Sequence, residues 1–156
     1  MDYFELNHVK AKVKFKEAIE EVLNELNNVV DGVMFVKARP GQDGHAEVWI
    51  DERTSKCLAC VDIREIIKFE DLYLFFHESG HVINKHFSDP FTRITIQQDE
   101  IINREKEADI YALKKMEELL LKLIGKRRDH KKVEEIIEVT KYRLDSGYED
   151  YLIKKK

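Results

Sequence analysis

Cysteine and proline are nearly absent from this chain: two of each occur among 156 residues, with six glycines and one tryptophan. Two cysteines exclude a disulfide-stapled scaffold and a four-cysteine zinc module. Scarce proline and glycine exclude linkers and low-complexity tracts built from those residues. No stretch approaches the ~18 consecutive apolar residues of a membrane span. The acidic start, Met1-Asp2-Tyr3-Phe4-Glu5, lacks the apolar run of a signal peptide. A cytoplasmic protein with no membrane partner is therefore expected. A basic excess is missing too: 27 Lys and Arg face 31 Asp and Glu, for a formal charge of −4. That balance argues against a general nucleic-acid surface. The one basic run, Lys154-Lys155-Lys156, reads as a solvated tail. Cys57-Leu58-Ala59-Cys60 has no second pair to complete a zinc site. On a strand its two thiols face opposite sides, so both cysteines are read as small packing residues rather than metal or redox groups.

What the chain does have is charge, 37% of its residues, beside 43% hydrophobic residues, enough for one core. No repeat or linker divides residues 1–156, so one domain is expected. Val9 to Leu26 reads as an amphipathic helix, with Val9, Val13, Ala18, Val22, Leu23 and Leu26 at helical spacing. Val33 to Ala38, His45 to Asp51 and Cys57 to Ile63 read as strands, parted by the Pro40 to Gly44 loop and a Thr54-Ser55 turn. Helices follow: one opened by Glu70 or Asp71, one between Asp99 and Gly125, and one from Lys131 to Leu144. The predicted class is α+β, a small mixed or antiparallel sheet packed on helices. Phe87 to Gln98 reads as a loop or short strand bordering a cleft. Residues 145–156, with Tyr148, Tyr151, Leu152 and Ile153, form a tail that packs on the core or enters the cleft as a plug. Composition carries no signal for oligomeric state.

His77-Glu78-Ser79-Gly80-His81 carries the chemistry. On a helix, residues i and i+4 share a face, so both imidazoles can reach one metal ion. Glu78 lies about 100° further round, off the ligand line, where a general base for an attacking water belongs. Leu72, Phe75, Phe76, Val82 and Ile83 form an apolar stripe that excludes the histidines and anchors the helix by another face. Ser79 and Gly80 are read as keeping bulk away from the space between the rings. Gly80 costs about 1 kcal/mol of helix propensity against alanine, which predicts a close approach there. The plainer alternative is a core helix with two surface histidines.

A catalytic zinc has three protein ligands and one open position. The segment Asn103 to Ala112 offers the third. Its helix buries Ile101, Ile102, Ala108, Ala112, Met116, Leu119, Leu120 and Leu123, and the helical wheel puts Glu105 amid that stripe while Glu107 points away. A carboxylate on a buried face needs a partner, and a cation held by His77 and His81 would be one. Glu107 is read as a solvated surface acid. Asp109, one turn beyond Glu105, can accept the outer N–H of a ligating histidine, or else form an ordinary salt bridge with Lys106 or Arg104. His86 is read as a packing or helix-end residue, and His8, His45 and His130 have no local partners. An oxyanion donor is open among Tyr111, Tyr142, Tyr148, His45 and His130.

Phe76-His77-Glu78-Ser79-Gly80-His81-Val82-Ile83 together with Glu105-Lys106-Glu107-Ala108-Asp109-Ile110-Tyr111-Ala112 resembles the gluzincin metallopeptidases, especially their ImmA/IrrE-like and minigluzincin branches. The resemblance covers mainly residues 45 to 115. It implies a zinc peptidase with His77, His81 and Glu105 as ligands, Glu78 as base, and an upstream edge strand that pairs with a peptide or protein substrate. The chain departs from the ImmA/IrrE pattern after the glutamate motif, where Leu113-Lys114-Lys115-Met116 brings no proline. The minigluzincin likeness adds an alternative: a latent or regulatory zinc-binding protein with this fold and no constitutive activity.

Overall fold

The computed structural model describes residues 2–88 and 98–148. Two short strands open the chain, β1 (Tyr3–Leu6) and β2 (Val9–Lys12), followed by a 3-10 turn and α1 (Lys16–Asn27). Three strands come next, β3 (Gly32–Lys37), β4 (Gly44–Ile50) and β5 (Cys57–Ile63). The remainder is helical: α2 (Phe69–Ile83), α3 (Gln98–Lys122) and α4 (Arg127–Asp145). No helix among the described residues is long and apolar enough to cross a membrane.

The expected helix from Val9 does not form over its first residues. Val9-Lys10-Ala11-Lys12 alternates apolar and polar residues, a period of two, and pairs antiparallel with Tyr3–Leu6. Asn7 turns the hairpin at φ 54, a left-handed conformation that asparagine tolerates. Val9 and Ala11 are both buried, whereas Val13 is exposed, so the strand reading wins by burial. Helix proper begins at Lys16 and buries Ile19, Val22 and Leu26.

The three remaining strands form a mixed sheet in the order β3-β5-β4, with β3 parallel and β4 antiparallel to β5. Cys57, Ala59, Val61 and Ile63 face inward to the helices, while Leu58, Cys60 and Asp62 lie half-buried on the other face. Cys57 and Cys60 are free and fall on opposite sides of β5, as strand alternation requires. The N-terminal hairpin covers one edge of the sheet, where Asn7 Oδ1 accepts from the Phe35 N–H at 2.9 Å. β4 forms the opposite edge and lies against α2.

Helix α2 starts at Phe69, one or two residues before the acidic pair expected to open it. Asp71 lies in the first turn, where its Oδ2 accepts from the N–H groups of Ile67 and Lys68 at 3.0 and 2.9 Å. The helix buries Leu72, Phe75, Phe76 and Val82 completely or nearly so. Helix α3 packs along it with Ala108, Ala112 and Met116 buried, and α4 covers α3 with Val133 and Ile137. Gly125, at φ 90, ends the α3 segment, where left-handed backbone favours glycine.

A candidate metal centre between two helices

Helices α2 and α3 meet at Gly80. A Cβ built there would lie 3.0 Å from the Ala108 Cα and carbonyl oxygen and 3.1 Å from the Tyr111 Cβ. The close approach predicted for Gly80 is therefore helix-to-helix. Ser79 is fully buried in the same layer, so neither residue borders the space between the histidines. The short separation lets a carboxylate on α3 reach imidazoles on α2.

His77 Nε2 lies 3.0 Å from Glu105 Oε2, and His81 Nε2 lies 3.2 Å from Glu105 Oε1. One donor atom from each of the three residues falls within 4.8 Å of the others, a group that could hold a metal ion. Donor atoms about 2.0–2.1 Å from a tetrahedral zinc stand about 3.3 Å apart, close to the two distances from Glu105 to the rings. The two imidazole planes are nearly perpendicular, at 86°, with both rings half-buried. Among the described residues this is the cluster of its kind.

Charge and hydrogen bonding hold the three side chains against one another. Burial disfavours the His77 imidazolium, yet hydrogen bonds to Asp109 and Glu105 outweigh burial and raise its pKa to about 10. Burial alone would raise Glu105, but hydrogen bonds from His77 and His81 hold it down to about 2. A carboxylate is thus kept ionised between two rings, the condition a cation requires of its oxygen ligand.

Asp109 is buried, at 1% exposure, and the alternative salt bridge with Lys106 or Arg104 is not what it makes. Its Oδ1 lies 2.9 Å from His77 Nδ1. The hydroxyls of Tyr73 and Tyr148 both donate to it, and Arg143 Nε donates to Oδ2 at 2.8 Å. Burial opposes its charge, but the His77 and Arg143 hydrogen bonds hold its pKa well below the usual range. An ionised Asp109 holds a hydrogen of His77 on Nδ1, so a cation arriving at Nε2 would displace only the hydrogen that faces Glu105. Arg143 was not legible as a site residue because α4 is distant in sequence; Tyr148 enters the site behind Asp109 rather than as an oxyanion donor, and Tyr73 lies on α2 one turn before His77.

Glu78 is 8% exposed and lines the same cleft. Its pKa is raised, chiefly by burial, with His77 and His81 opposing. Gly44 leaves room for it: a Cβ there would lie 3.1 Å from both Cγ and Oε2 of Glu78. Gly44 belongs not to the loop its sequence suggests but to β4, as its first residue.

The cleft, about 320 Å³, is lined by Gly44, His45, Ala46, Ser88, Ile101 and Arg104 besides the groups above. Of the five oxyanion-donor candidates, His45 alone lies there. Tyr111 donates to Glu25, Tyr142 is 74% exposed, His130 pairs with Glu134, and Tyr148 is engaged with Asp109. Arg104, passed over in the sequence, donates to the Phe87 carbonyl at 3.1 Å along this wall. His86 is also in the cleft wall, 2.8 Å from His81, and Glu107, an exposed acid as expected, approaches its far nitrogen at 3.4 Å. The expectations for residues 89–97 and 149–156, including Tyr151, Leu152 and Ile153, lie outside the described residues.

No protein-family model matches the chain, and no curated protein or solved structure matches it.

Proposed function

We propose that this chain is a zinc-dependent peptidase of gluzincin type, cleaving peptide bonds of a polypeptide substrate in the cytoplasm. The observation that carries this reading is the convergence of His77, His81 and Glu105 beside a buried glutamate in an open cleft. When bound, zinc supplies Lewis acidity for the scissile carbonyl and brings the pKa of water towards ~7. Glu78, off the ligand line and desolvated, accepts the proton of the attacking water and passes it to the leaving amine nitrogen. Asp109 orients His77 through Nδ1.

Substrate alignment is assigned to β4. The Val48 carbonyl accepts from the Ser88 N–H at 2.8 Å, which identifies the outward-facing register of this edge strand. Main-chain groups two residues apart point the same way, so Ala46 and Gly44 present theirs to the cleft. A peptide added there gains main-chain hydrogen bonds with little demand on its sequence.

The test combines elemental analysis with hydrolysis of an unstructured polypeptide such as reduced casein. One zinc per chain and cleavage by the parent protein, lost in Glu78→Gln, are expected. Stoichiometric zinc with no cleavage would instead mean a regulatory or latent zinc-binding protein. Absence of zinc binding would remove both readings.

A further inference from the structure

Helix α2 ends in a hydrogen-bond pattern that brings a third histidine against the cleft. Lys85 adopts φ 49, the left-handed conformation that reverses the chain. The His86 N–H then donates to the His81 carbonyl at 3.0 Å, and the Lys85 N–H donates to Val82 at 2.9 Å. This paired arrangement is the Schellman helix stop, which characteristically presses the side chain after the turn onto the one five residues earlier. Here those two side chains are His86 and His81. Their Nδ1 atoms lie 2.8 Å apart, with ring centroids at 5.1 Å.

Two imidazole nitrogens at that distance share one hydrogen, so one donates and the other accepts. His86 is 9% exposed, and its Nε2 lies 3.4 Å from Glu107 Oε1. A cation on His81 Nε2 requires the His81 hydrogen on Nδ1, so His86 Nδ1 would accept it and the His86 hydrogen would sit on Nε2, towards Glu107. Glu105, whose Oε1 lies 3.2 Å from His81 Nε2, stands on the side where that cation would sit.

We infer that His86, backed by Glu107, is a positioning residue that fixes the tautomer and ring orientation of His81 for metal binding. Helix α3 would thus serve both histidines from positions two residues apart, Asp109 for His77 directly and Glu107 for His81 through His86. This rests on the reading of His77, His81 and Glu105 as metal ligands, but not on peptide hydrolysis.

Zinc affinity, read by competition with a chromophoric chelator, tests it in the full chain and in His86→Leu and His86→Gln. Loss of an outer partner of this kind costs about ten- to a hundredfold in affinity, the result expected for His86→Leu. His86→Gln, whose amide oxygen can accept the same hydrogen, should stay within about threefold of the parent. The visible spectrum of the Co(II)-loaded protein should change in the leucine variant and be restored in the glutamine one. Nitrogen-15 spectra of the zinc-loaded parent require no variant and should show His81 protonated at Nδ1 and coupled to His86. Parent-like affinity in His86→Leu, equal losses in both variants, or an unprotonated His81 Nδ1 would overturn the inference alone. A parent that binds zinc but cleaves nothing would overturn the peptidase reading and leave this one standing. A parent that binds no zinc would overturn both.

Discussion

At the scale of single residues, the site separates groups that hold a cation from groups that move a proton. Glu105 is clamped between two imidazoles, while Glu78 is buried beside Gly44 with its pKa raised. Glu78→Gln is therefore expected to keep zinc and fold while hydrolysis drops by about 10²–10⁴-fold, the usual weight of general-base catalysis. Hydrolysis at the parent rate would remove Glu78 from the mechanism. Glu105→Ala should weaken zinc far more than Glu107→Ala, because Glu107 reaches only His86; the reverse order in a metal titration would exchange their roles. Gly44→Ala offers a subtler probe. Its new Cβ would contact the flexible end of Glu78 at 3.1 Å, so kcat should fall while zinc affinity stays put.

At the scale of elements, the distance between α2 and α3 sets the site. Gly80 meets helix backbone rather than yielding side chains. Gly80→Val should destabilise by about 2–3 kcal/mol in urea denaturation, since overpacking a rigid contact costs that order and valine recovers little helix propensity. Unchanged stability would show that the helices can part. The turn after α2 carries strain of the opposite kind. Lys85 occupies the left-handed region, where a non-glycine residue costs about 1–2 kcal/mol, so Lys85→Gly should hold or raise the urea midpoint.

At the scale of the whole molecule, zinc and fold should be coupled. A ligand that binds only the folded state stabilises it by about 2.7 kcal/mol at a hundred times its Kd, so chelator treatment should lower the melting temperature. An unchanged melting temperature would disconnect the ion from the folded site. The C-terminal region adds a second coupling, because Tyr148 donates to Asp109 behind His77. A chain cut after Leu144 loses that hydrogen bond, whereas one cut after Tyr148 keeps it. Cleavage gained only by the chain ending at Tyr148 would mark residues 149–156 as a plug over the cleft.

The HExxH spacing, the stripe on α2, the three later strands and the placement of Glu105 on the buried side of α3 were all legible from periodicity, because each is a property of one element. The first strand pair was not, since Val9-Lys10-Ala11-Lys12 suits a helix or a strand until its partner Tyr3–Leu6 is known. His86 is the buried helix-end residue its position suggests, but its contact with His81 was not legible: position five residues past His81 is off the helical wheel, and only the left-handed turn at Lys85 folds it back. Glu107 is exposed, as a surface acid should be, and nothing on its own helix hints at an imidazole arriving from α2.

Residue order alone thus determined which side chains share a helix face, because backbone geometry repeats every few residues whatever lies outside. Tertiary structure decided which faces meet. The contact of Gly80 with Ala108, the space at Gly44 for Glu78, and the ring of Tyr73, Arg143 and Tyr148 around Asp109 join positions up to 75 residues apart, counting from Tyr73 to Tyr148. Such contacts depend on packing between surfaces, which no local repeat encodes.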